Sequence, residues 1–60
     1  MSEVENFTCE ILSESDKACL VSAFGKEKWL PKSQIERMSR QGDTAEIVIP
    51  VWLFNRNFED

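Results

Sequence analysis

The chain predicts a small α+β domain. Its expected form is a curved antiparallel sheet of three to four strands, SH3-like or half-barrel, with a short C-terminal helix. Three observations carry this. Apolar residues alternate with polar ones in several short segments, at the period of a half-buried strand. Turn-forming residues separate those segments. The final segment changes to helical spacing directly after Pro50.

Residues 1–5, acidic and polar, are expected to be disordered. From Asn6 to Leu12, Phe7, Cys9 and Ile11 alternate with Thr8 and Glu10, which marks the first strand. Ser13-Glu14-Ser15-Asp16 supplies turn chemistry. Lys17 to Phe24 reads as a second, more central strand, with Ala18, Leu20 and Phe24 on one face and Cys19, Val21 and Ala23 on the other. Gly25-Lys26 marks the next turn, because glycine takes a positive φ without steric cost. Glu27 to Leu30 is a short third strand that ends at Pro31, which has no N–H to donate. Trp29 and Leu30 therefore face opposite ways.

Ser33-Gln34-Ile35-Glu36 has capping-box spacing. With Gly42 as a stop, residues 33–40 are expected to form a short helix or 3₁₀ turn. A strand through Gln34-Ile35-Glu36 is the competing reading. Thr44 to Ile49 is the strongest strand, with four β-branched residues in six. Val51 to Phe58 then places Val51, Phe54 and Phe58 on one helical face, and a helix this short must dock to persist.

Sixty residues make one domain, and a domain this small buries only about 60% of the surface of its unfolded chain. With two cysteines and no histidine, the usual four-ligand zinc sites are excluded within one chain. Cys9 and Cys19 are expected to be reduced, in a cytoplasmic setting. The start, Met1-Ser2-Glu3-Val4-Glu5, lacks the apolar core of a signal peptide. No run approaches the ~20 apolar residues of a membrane span. A homodimer is the remaining route to a larger core. The register between Cys9 and the second strand stays open, with Leu20, Cys19 and Val21 all within one residue of it.

Catalytic chemistry is sparse. Histidine, the commonest acid–base group, is absent. The cysteines have no CxxC spacing and no basic partner of the usual kind. The two glycines stand alone, so no phosphate loop exists. A non-enzyme without cofactor or metal is expected.

Two features point to recognition. Trp29 is flanked by Lys26, Lys28 and Lys32, a combination with which a small barrel stacks a base and holds phosphate. Residues 25–42 hold five basic side chains against two acidic ones, although the whole chain carries −4 and so argues against nucleic acid as the main partner. The second feature is Trp52 and Leu53 on the terminal helix, where tryptophan suits a protein contact.

Lys17-Ala18-Cys19-Leu20-Val21, Lys28-Trp29-Leu30-Pro31-Lys32-Ser33-Gln34-Ile35 and Ile47-Val48-Ile49-Pro50-Val51-Trp52-Leu53 together resemble small bacteriophage- and prophage-encoded proteins with a W-I/L-P-K-S-Q-I segment. The resemblance covers roughly residues 17–54 and transfers no site residue. It implies a phage origin, a host-cytoplasmic setting and a protein partner in the bacterial host. The leading expectation is a protein-binding inhibitor of a host or defence protein anchored by Trp52, Leu53 and Trp29. The alternatives are a nucleic-acid-binding small barrel using Lys26, Lys28, Trp29 and Lys32, or an accessory subunit of a larger assembly.

Overall fold

The computed structural model describes residues 3–59. Five strands form one antiparallel sheet: β1 (Val4–Glu14), β2 (Ala18–Ala23), β3 (Lys26–Pro31), β4 (Arg37–Gln41) and β5 (Thr44–Pro50). Their order is β3-β2-β1-β5-β4, and a short helix α1 (Val51–Phe58) follows β5 directly. The class is α+β, as expected. The sheet has five strands rather than three or four, and it does not close. β1 begins at Val4, inside the stretch expected to be disordered, and Val4 pairs with Pro50; residues 1–2 lie outside the described residues.

The additional strand is β4, and it replaces the expected helix over residues 33–40. Only Lys32–Gln34 form a 3₁₀ turn, closed by the Ile35 N–H donating to the Lys32 carbonyl at 3.1 Å. The Ser33 cap does not form. It needs the Glu36 N–H, and that group donates instead to the Val48 carbonyl of β5 at 2.8 Å. A sheet bond thus takes the donor that the capping box would have used. Gly42 serves the β4–β5 hairpin, at φ +63, rather than a helix end.

The β2–β3 turn falls one residue earlier than expected. Phe24 and Gly25 have φ of +55 and +76, the paired positive values of a two-residue hairpin that suits right-twisted strands. A left-handed backbone costs a residue such as Phe24 about 1–2 kcal/mol. Its ring offers compensation. Phe7, Phe24, Phe54 and Phe58 form one cluster in which ring centroids lie 5.3–5.9 Å apart. Aromatic pairs in such geometry contribute about 0.5–1.5 kcal/mol each beyond area burial. Phe24 therefore fastens the hairpin tip to β1 and α1, although it is 61% exposed. Phe24→Asn gives the turn a better residue but removes three ring contacts. We expect a net loss of about 1 kcal/mol in urea denaturation; a gain would show that the ring contributes nothing.

One face of the sheet forms the core. Phe7, Cys9, Cys19, Val21, Ala23, Leu30, Ala45, Ile47 and Ile49 are buried there, joined by Leu53 and Phe58 of α1. The helix covers β1 and β5. The β2–β3 end is covered by curvature. β1 shifts register between Ile11 and Ser13, a bulge that bends a strand and increases its twist.

The bend can be gauged from one ion pair. In a flat sheet Glu14 and Arg40 would lie roughly 20 Å apart, at ~4.8 Å per strand and ~3.3 Å per residue. That exceeds what the two side chains span. Yet Arg40 Nη1 lies 3.1 Å from Glu14 Oε1, so the end of β1 folds back over the β4–β5 hairpin.

Candidate functional site

Alternation along β3 separates the expected recognition residues. Lys26, Lys28 and Leu30 stand opposite Ala23, Val21 and Cys19 of β2, on the core side. Glu27, Trp29 and Pro31 stand opposite Ser22, Leu20 and Ala18, on the outer side. Trp29 therefore points away from the face of Lys26 and Lys28. Lys32, just past the strand, is held by Glu14 at 2.7 Å.

Glu14 is the centre of that small network. The Lys32 hydrogen bond and charge, followed by Arg40, hold its carboxyl below the usual value of 4.5. Lys32 is raised above 10.5, chiefly by its hydrogen bond to Glu14. The carboxylate's contribution to stability is present above pH 4.5 and is lost as the pH falls through its lowered value. The ammonium's contribution is present below pH 10.5 and is lost as the pH rises through its raised value. Glu14→Gln should therefore narrow the gap to the wild type once the pH drops below 4.5, in urea midpoints measured against pH. A gap that is unchanged by acid would contradict this assignment.

The helix divides the other expected residues. Leu53 is 5% exposed and belongs to the core. Trp52 is 54% exposed, on the side of α1 that it shares by helical spacing with Asn55 and Arg56, both exposed. Its neighbours along the helix are thus polar.

Trp29 has different company. It is 51% exposed and lies directly across from half-buried Leu20. Leu20 in turn lies across from Ser13 at the bulge, where Leu12 is also exposed. One step along the strands, half-buried Ala18 and Pro31 pair on the same side. A row of Leu12, Leu20 and Trp29, bordered by Ala18 and Pro31, thus runs over the outer side of β1, β2 and β3. Sequence reasoning singled out Trp29 but not Leu20 or Leu12. The signal was the apolar second face of β2, at Ala18 and Leu20.

Cys9 stands opposite Ala45 and Cys19 opposite Glu14 and Leu30. Both are free and buried. Burial, then the Cys19 charge, raises the Cys9 thiol; burial, then the Glu14 charge, raises that of Cys19. Both are kept in the unreactive neutral form. Among the described residues, no three His, Cys, Asp or Glu side chains gather as a metal site, and no helix is long and apolar enough to cross a membrane.

Fold and surface together define a small open antiparallel sheet, with one face folded around its core and the other carrying an apolar row. Comparison with protein-family models, curated proteins and solved structures finds no match.

Proposed function

We propose that this chain is a non-enzymatic protein-binding module that docks through the outer side of β1–β3, with Trp29 as its anchor. The observation that carries this reading is the Trp29–Leu20 pair, half-exposed on the side of the sheet that the core does not use. An antiparallel sheet needs only one covered face, and its second face is ordinarily polar. Tryptophan is enriched among residues that dominate binding energy. Trp29 now ranks above Trp52, which stands among polar neighbours. The alternation of β3 counts against the nucleic-acid reading, because it turns Lys26 and Lys28 away from Trp29.

The resemblance to small phage proteins sets the proposed context. The module acts in the cytoplasm of a bacterial host, where it inhibits a host or defence protein. Affinity isolation from such a host tests this with three proteins: wild type, Trp29→Ala and Trp52→Ala. A specific partner should be retained by the wild type and Trp52→Ala and lost by a folded Trp29→Ala. Retention by Trp29→Ala with loss by Trp52→Ala would move the contact to α1.

A further inference from the structure

The outer side of the sheet is charged as well as apolar. Beside the Trp29 row runs a second one, Glu27–Ser22–Glu10–Thr44–Gln41, crossing all five strands. Glu46 stands opposite Thr8 in the row after that, diagonal to Glu10. Glu10, Glu27 and Glu46 are exposed, and the two ion pairs that Glu14 makes, with Lys32 and Arg40, involve none of them. Two strand spacings put Glu10 and Glu27 about 10 Å apart, and Glu27 is two residues from Trp29 on the same strand. Arg37 shares this side but lies at the far edge, opposite Val48. The apolar row therefore has a carboxylate border along one flank.

Resting on the docking surface proposed above, we infer that the partner is a protein segment with apolar side chains flanked by lysine or arginine. Its apolar side chains cover Trp29, Leu20 and Leu12, and its cations meet Glu27 and Glu10. Carboxylates arranged this way attract a cationic partner during encounter and reject an acidic one. A second copy docked face to face through the same rows is a poor occupant. It would bring either its own carboxylates or its apolar row against Glu10 and Glu27, and neither compensates them.

The test uses Trp52→Phe protein, so that Trp29 is the sole tryptophan. It is titrated with a twelve-residue amphipathic peptide of leucine and lysine, and separately with a leucine–glutamate counterpart. The lysine peptide should shift Trp29 emission to shorter wavelength, and the glutamate peptide should not. Adding Glu10→Gln, Glu27→Gln and Glu46→Gln together should weaken binding about tenfold, the scale of three exposed ion pairs, and flatten its salt dependence.

Equal binding of both peptides, or no effect of the three substitutions, overturns the charge selection. So does no shift with the lysine peptide, or a shift that follows protein concentration alone, which would indicate a second copy. The isolation experiment with Trp29→Ala decides the docking surface separately from any of these.

Discussion

Replacing Ile47 with Ala should remove a large share of the protein's stability. Ile47 is fully buried. It stands between Phe7 of β1 and Met38 of β4, where β5 joins the edge of the sheet to its centre. Truncating a buried isoleucine to alanine costs about 2–5 kcal/mol, because transfer energy is lost and a cavity remains. At roughly 0.05–0.15 kcal/mol per residue, the whole chain has only about 3–9 kcal/mol to lose. Urea denaturation followed by circular dichroism reads the difference. A loss below 1 kcal/mol would mean that the core collapses readily around position 47 and that packing there is loose.

Trp29→Ala should do the opposite, with a large effect on binding and a small one on folding. A cross-strand aromatic pair such as Trp29–Leu20 contributes about 0.2–1 kcal/mol to a sheet, so the urea midpoint should fall only modestly. A tryptophan at the centre of a contact costs 2 kcal/mol or more when truncated, which is about 30-fold or greater in affinity. Titration calorimetry with the isolated partner gives the second number, and the same protein in urea gives the first. A variant that unfolds would place Trp29 in the support of β2 and β3. A variant that binds normally would remove it from the contact.

The contrast between Ile47 and Trp29 shows which parts of this molecule are legible in its sequence. Strict alternation, Phe7-Cys9-Ile11 and Ala45-Ile47-Ile49, reveals β1 and β5, and the change of period after Pro50 reveals α1. β4 leaves almost no trace. Arg37-Met38-Ser39-Arg40-Gln41 has one apolar side chain, because an edge strand covers little core. Its place is set by pairing with β5, from Arg37 opposite Val48 to Gln41 opposite Thr44, and the adjoining Glu36 N–H to Val48 bond defeats the Ser33 cap. The first turn is equally silent: β1 runs on through Glu14, which stands opposite Cys19, so the turn comes later than residues 13–16 and Cys9 lies beyond Leu20, Cys19 and Val21.

The surface is legible in part for the same reason. Strand alternation alone assigns Trp29 and Leu30 to opposite sides, and Leu30 is indeed buried while Trp29 is not. The same rule, applied one residue back, separates Lys28 from Trp29. Which tryptophan has apolar neighbours is a matter of cross-strand register, and that depends on the whole sheet. Phe24 is the clearest case of tertiary structure overriding local preference. A phenylalanine is a poor residue for a left-handed turn, and it is held there next to three other rings distant in sequence.

The most direct test of the central claim is a map of amide chemical-shift changes as the isolated partner is added to the isotope-labelled chain. The changes should centre on Leu12, Leu20, Glu27 and Trp29, along the outer side of β1–β3, with little movement at Asn55 and Arg56. Changes centred on Trp52, Asn55 and Arg56, with β3 undisturbed, would place the contact on α1 and contradict the assignment to Trp29.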